Sequence, residues 1–181
     1  TEPDIILPEN QACFRLPGTD GKAKMSKSLG NCIYLSDEPD VIKSKIMSMY
    51  TDPTHIRKED PGHTKGNPVF TYLEAFCNPE HFKEFMPDYK NLDELKAHYE
   101  RGGLGDVTVK KFLNNVMQKE LEIIRERRKM WEQRLPDVYD ILYQGSMKAK
   151  TVAANTLEEV KHSMKIDYFE NKNLLSKENE R

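Results

Sequence analysis

The sequence predicts a mainly α-helical domain that follows the tail of a strand-containing one. Three observations carry that expectation. From Ser36 onward apolar residues recur at three- and four-residue spacing, as they do along one face of a helix. Before Ser36 the chain is rich in Pro, Asp and Gly around two short apolar pieces, Ile5-Ile6-Leu7 and Ala12 to Leu16, a pattern of strand ends and turns. The size fits as well: 181 residues, 37% hydrophobic and 32% charged, make one domain or one and a fraction around a buried core, and exclude a fully disordered chain.

The elements follow in order. GTDGKAKMSKSLGN (18–31) reads as a Gly/Lys/Ser-rich loop, and Cys32 to Leu35 as a short strand or the entry to a helix. Ser36 or Asp37 is placed to cap a first helix carrying Val41, Ile42, Ile46 and Met49. The stretch 51–68 holds three prolines and two glycines and reads as a long loop. Pro68 suits a first helical position, with Phe70, Leu73 and Phe76 on one stripe behind it. Shorter helices fit 79–86 and 91–101. RGGLGD (101–106) is a glycine stop with Asp106 as the next N-cap, and the longest helix follows over about 106–133. Pro136 opens a last helical stretch with Val138, Ile141, Leu142, Val152, Leu157 and Val160 in phase, which Gly145 is expected to break or kink.

Composition narrows the function classes. The longest apolar runs span only a few residues, so no transmembrane helix is expected. The opening TEPDIILPEN has neither a basic nor an apolar leader segment, so no secretory signal is expected and the cytoplasm is the expected compartment. Cys13, Cys32 and Cys77 are widely spaced with no CxxC pair, which argues for reduced thiols and against a zinc ribbon. Cys77 and His81 can share a helix face, but no second ligand pair follows, so no metal site is expected. The formal net charge is −2. It is distributed unevenly, with an acidic excess over 36–100 and a basic excess over 101–135, and the basic belt is compatible with nucleic acid at one face.

The most informative stretch is Lys24-Met25-Ser26-Lys27-Ser28, followed by Gly30-Asn31. Two ammonium groups three residues apart can both reach a triphosphate. Two hydroxyls can fix the loop or touch phosphate oxygens, and the flanking glycines let backbone N–H groups turn inward. Lysine is a mobile point charge, suited to following a departing pyrophosphate. The pentapeptide is expected by chance roughly once in ten thousand chains of this length. The spacing is not that of a Walker A loop, and Gly103 and Gly105 lack the third glycine of a dinucleotide fingerprint.

At these residues the sequence resembles the class I aminoacyl-tRNA synthetases, whose second signature is KMSKS. The surrounding blocks LPGTDGKAKMSKSLGN, YTDP, EDPG, NPVFTYLEAF, GGLGDVTVKKFL and MKIDYF resemble the C-terminal half of tryptophanyl-tRNA synthetases, over about residues 8–169. Tyrosyl-tRNA synthetase is the nearest rival. A non-catalytic helical RNA-binding module with an accidental KMSKS is the competing class.

The resemblance implies the tail of an α/β nucleotide-binding domain over 1–35, an α-helical tRNA-recognition domain over 36–167 and a polar tail over 168–181. It implies Mg·ATP, tryptophan and tRNA as substrates, with residues 24–28 contacting ATP, and Lys24 and Lys27 stabilising charge on the phosphates. It also implies a homodimeric parent paired through its other half, leaving this piece monomeric. The family's first signature, an HxGH motif, is absent from these 181 residues, so the chain alone is expected not to activate an amino acid.

Other residues have two readings. Arg125, Arg127 and Arg128 can grip tRNA phosphates or form a solvated face paired with Glu122, Glu126 and Glu132. Lys110 and Lys111, near a helix start, can meet a phosphate or be ordinary surface lysines. Trp131, Tyr139 and Tyr143 can stack on bases, though their periodicity favours packing. Phe14 is a candidate to line an adenine site.

Overall fold

The computed structural model describes residues 3–168. It contains six helices among those residues: α1 (Pro39–Met47), α2 (Pro68–Phe76), α3 (Pro79–Phe85), α4 (Leu92–Arg101), α5 (Asp106–Glu132) and α6 (Leu135–Ser163). Short 3-10 turns occupy Gln11–Cys13 and Lys27–Leu29. The mainly helical expectation holds.

The expected strands do not form among the described residues. Neither Ile5–Leu7 nor Cys32–Leu35 is a strand, and one isolated antiparallel bridge, Pro17 to Lys24, stands in their place. A strand needs a ladder to satisfy its backbone, and no neighbouring segment offers one here.

Three helices start as the sequence dictates. Asn67, Asn78 and Asn91 are the N-caps of α2, α3 and α4, and each side-chain oxygen accepts a first-turn amide N–H. Pro68 and Pro79 fill positions whose amide would have no intrahelical partner. At α3 the box closes reciprocally, because His81 Nδ1 accepts the Asn78 N–H at 3.2 Å.

Two caps differ from expectation. Helix α1 starts at Pro39 behind Glu38, while Asp37 is taken by the Tyr34 N–H at 2.8 Å and the Lys45 ammonium at 2.5 Å. Helix α5 begins with Asp106 inside it, and the Gly105 carbonyl accepts the Thr108 amide at 3.0 Å. The Asp106 carboxylate instead accepts the Tyr99 hydroxyl at 2.7 Å and lies 3.3 Å from His55 Nδ1.

The chain divides into two compact units, Thr1–Arg128 and Lys129–Arg181. The first unit holds the core. Ile42, Ile46, Phe70, Leu73, Leu95, Tyr99, Phe112, Leu113 and Val116 are fully buried there. Tyr99 packs between Phe70 and His55, at ring-centroid distances of 4.8 and 4.6 Å. Met49 is buried, as a packing role requires.

In the second unit α6 runs unbroken through Gly145, against the expected kink. One glycine costs about 1 kcal/mol against alanine, too little to interrupt 29 helical residues. None of its side chains is buried, and Tyr139 and Tyr143 are exposed rather than packed. No helix among the described residues is long and apolar enough to cross a membrane. Beyond Tyr168 the expected polar tail lies outside the described residues, as does Phe169 of the MKIDYF block.

Candidate nucleotide-binding loop

Residues 17–31 form a closed loop whose frame is hydrogen-bonded and whose cations face outward. Its neck is pinned by the Gly18 N–H to the Ala23 carbonyl at 2.7 Å and the Thr19 N–H to the Asn31 carbonyl at 3.0 Å. Asn31, only 4% exposed, is the central tie. Its amide oxygen accepts the Ser26 N–H at 2.8 Å, and its amide nitrogen donates to Asp20 Oδ2 at 3.2 Å and to the Lys24 carbonyl at 3.3 Å. Gly18 makes room for that side chain: a Cβ there would lie 2.1 Å from Asn31 Nδ2.

The Asp20 carboxylate closes a second turn by accepting the Lys22 N–H at 3.2 Å, which holds its pKa below the ordinary carboxylate value. The loop is fastened to the helices at two points. The Tyr72 hydroxyl of α2 donates to the Pro17 carbonyl at 2.9 Å, and the Tyr50 N–H donates to the Thr19 carbonyl at 3.0 Å. Burial pushes the Tyr72 phenol up to about 12.

Within the motif the residues divide by direction. Met25 packs against the hydrophobic core. The Ser26 and Ser28 hydroxyls meet at 2.9 Å across the tight turn Lys27–Leu29, which Gly30 ends in the left-handed conformation at φ 66°. Lys24 and Lys27 are exposed and make no ion pair among the described residues. A half-buried methionine thus anchors the segment while both ammonium groups remain available to an anion. Phe14 is exposed just after the turn Gln11–Cys13, which the Asn10 side chain ties to the Glu74 carbonyl of α2 at 2.8 Å.

The second set of predicted cations is not gathered at this loop, and two of its members are turned inward. Lys110 is 8% exposed, and its ammonium donates to the Met47 and Met49 carbonyls at 3.0 and 2.7 Å. It therefore closes the C-terminal end of α1 rather than offering a surface charge. Burial lowers its pKa. Arg125 is 9% exposed and its Nη2 donates to the Gln118 carbonyl at 3.2 Å. Lys111, Arg127 and Arg128 are exposed on α5.

Sequence reasoning missed Asn31 as the tie, and Asp20 and Tyr72 as its supports. The Gly30-Asn31 pair was the available signal, since Asn after Gly is turn chemistry. His81, weighed as a metal ligand beside Cys77, is a cap that also meets Glu120 at 3.3 Å. Burial pushes the Cys77 thiol up to about 11, away from the thiolate a metal needs. No group of three or more His, Cys, Asp or Glu side chains that could hold a metal ion occurs among the described residues.

Residues 1–122 match the family model described as tRNA synthetases class I (W and Y). The chain belongs to that family. Among curated relatives, a tryptophan–tRNA ligase of Clostridium longisporum is 58% identical over 170 residues, covering 94% of this chain and 47% of the relative. One from Lactococcus lactis is 54% identical over 168 residues, covering 93% and 47%. The chain thus spans about half the length of these relatives. The crystal structure of Campylobacter jejuni tryptophanyl-tRNA synthetase with ADP and tryptophan superposes at a TM-score of 0.67 and 27% identity, over 83% of this chain and 43% of that one. At these identities the chain is related to the tryptophan–tRNA ligases.

Proposed function

We propose that the chain is the C-terminal half of a tryptophan–tRNA ligase, supplying the ATP and pyrophosphate loop and the helices that meet tRNA. The observation that carries this reading is the loop itself: a frame fixed by Asn31, Asp20 and Tyr72 that leaves the Lys24 and Lys27 ammonium groups unpaired and outward. Its setting in a chain 58% identical to a tryptophan–tRNA ligase narrows the reaction.

In that reaction a tryptophan carboxylate oxygen attacks the α-phosphorus of ATP. A carboxyl–phosphate bond forms, the bond from the α-phosphorus to the bridging oxygen breaks, and pyrophosphate leaves with the electron pair. A ribose hydroxyl at the 3′ end of tRNA then attacks the tryptophanyl carbonyl carbon, the carboxyl–phosphate bond breaks, and AMP leaves as the ester forms. Negative charge grows on the leaving phosphates, and Lys24 and Lys27 are the groups this chain brings to it. Flexible lysine stems let both charges follow the pyrophosphate as it departs, which suits a closing loop. Met25, Ser26 and Ser28 hold the turn that presents them.

Mg2+ belongs to the nucleotide substrate in this scheme. The loop presents ammonium groups and hydroxyls, with no carboxylate cluster for a resident ion. Lys111, Arg127 and Arg128 are the exposed α5 cations proposed for tRNA phosphates, in a cytoplasmic enzyme whose two copies pair through the other half.

ATP–pyrophosphate exchange tests the reading. The purified 181-residue chain is expected to give no exchange, and the chain fused to the upstream half of the Clostridium relative to give tryptophan-dependent exchange. Exchange by the chain alone, or none by a folded fusion, contradicts it.

A further inference from the structure

The base of the nucleotide loop meets the helical elements at three alternate residues. The Pro17 carbonyl accepts the Tyr72 hydroxyl at 2.9 Å, and the Thr19 carbonyl accepts the Tyr50 N–H at 3.0 Å. The third is Gly21, which a tight turn brings back toward the neck, its N–H donating to the Gly18 carbonyl at 2.9 Å. Gly21 lies in a notch between two rings. A Cβ there would fall 2.9 Å from Tyr50 Cδ1 and 3.2 Å from Pro68 Cδ, at a φ of 68°. Only glycine fits so close an approach at that backbone angle. Both walls are fixed from behind: Pro68 is the buried first residue of α2, beside its N-cap Asn67, and Tyr50 follows Met49, which is 2% exposed in the core. Tyr50 itself is 41% exposed, so its ring contributes little to the core, and its close contact is the one with Gly21.

We propose that Tyr50 is a positioning residue for the nucleotide loop: its ring and that of Pro68 seat Gly21, and the seat fixes the base from which Lys24 and Lys27 are presented. The inference rests on the reading of residues 24–28 as the ATP loop and adds a residue that touches neither nucleotide nor tryptophan. Gly21 stands three residues before Lys24, and Ala23 between them donates its carbonyl to the Gly18 N–H at 2.7 Å, so a shift at the seat passes directly into the neck. With the Tyr50 ring gone, the Pro17 and Thr19 carbonyls keep their donors, but one wall of the notch opens and Gly21 regains the freedom that the rings deny it. The ammonium groups then spread over many positions instead of one. Their charge is needed where negative charge grows as pyrophosphate leaves, so the loss falls on kcat rather than on KM for ATP.

Two measurements test this. The first is amide exchange, followed by NMR in the 181-residue chain without nucleotide. Tyr50→Ala is expected to speed exchange of the neck amides of Gly18 and Thr19 about tenfold while the amides of α2 and α5 keep their rates. Tyr50→Phe, which retains the ring, is expected to restore the neck. Gly21→Ala, whose Cβ would meet both walls, is expected to loosen the same two amides and replaces Tyr50→Ala should that variant fail to fold. Neck rates that stay unchanged in the folded variant, or rise equally in α2 and α5, overturn the seat. The second measurement is ATP–pyrophosphate exchange by the fusion with the upstream half. Tyr50→Ala is expected to lower kcat about tenfold and to leave KM for ATP within about twofold, with Tyr50→Phe restoring kcat. A loosened neck with kcat unchanged, or a rise in KM alone, overturns the positioning role. If the Lys24→Ala, Lys27→Ala double variant exchanges as fast as the unaltered fusion, the ATP-loop reading fails instead, and the neck amides still decide whether Tyr50 seats Gly21.

Discussion

Lys24 and Lys27 on one side, and Lys110 and Arg125 on the other, read alike in the sequence as cations able to meet a phosphate. The structure gives them opposite work. The first pair is exposed on a loop whose own backbone is already satisfied by Asn31 and Asp20, so nothing in the chain consumes their charge. The second pair is buried, and main-chain carbonyls of Met47, Met49 and Gln118 take their donors. A cation's function is decided by what already occupies its donors. Counting basic residues along α5 does not reveal that.

The comparison can be broken by substituting one member from each side. In a fusion carrying the upstream half, Lys27→Ala is expected to slow adenylate formation by about 10²–10³, or roughly 2.7–4 kcal/mol, with the melting temperature unchanged. Lys110→Met is expected to do the reverse. It leaves two carbonyls at the end of α1 without their donor and lowers unfolding free energy by about 1.5–3 kcal/mol in a urea titration, with pyrophosphate exchange retained at low temperature. If both substitutions cost rate, or both cost stability, the division fails.

A smaller effect sharpens the account of how the loop is held. The Tyr72 pKa is raised from 10.0 to about 12 by burial against the loop neck, so the folded state keeps its proton after the unfolded state has lost it. The stability this contributes is complete below about pH 10 and disappears as pH rises toward 12. Ultraviolet difference titration is expected to show a phenol ionising near 12, absent in Tyr72→Phe. A titration in which no phenol ionises above 11 contradicts the burial of that hydroxyl.

Most of the helical fold was legible in the chain, because Pro68 acts locally and the apolar residues of α2 and α5 repeat in phase, whereas the Asn67, Asn78 and Asn91 caps went unread. The pentapeptide was legible for a similar reason: its chemistry lies in consecutive residues. Several of the misses involve competition at a distance. Asp106 has the sequence of a cap, yet Tyr99 and His55 claim its carboxylate from other segments. Asp37 is drawn from capping α1 by Lys45. Lys110 reads as a surface lysine until α1 brings two carbonyls to it. Cys32 to Leu35 has strand-like side chains but no ladder to join among the described residues. Gly145 shows the opposite limit, a strong local signal overruled by the length of the helix around it.

The most direct test of the loop's role is hydrogen exchange over residues 22–30 in the fusion with its upstream half, with and without Mg·ATP. The amides of Ser26 to Gly30 are expected to exchange at least tenfold more slowly with nucleotide bound, and to lose that protection in the Lys24→Ala, Lys27→Ala double variant. Identical exchange with and without nucleotide, in a fusion shown to bind ATP, would contradict the assignment.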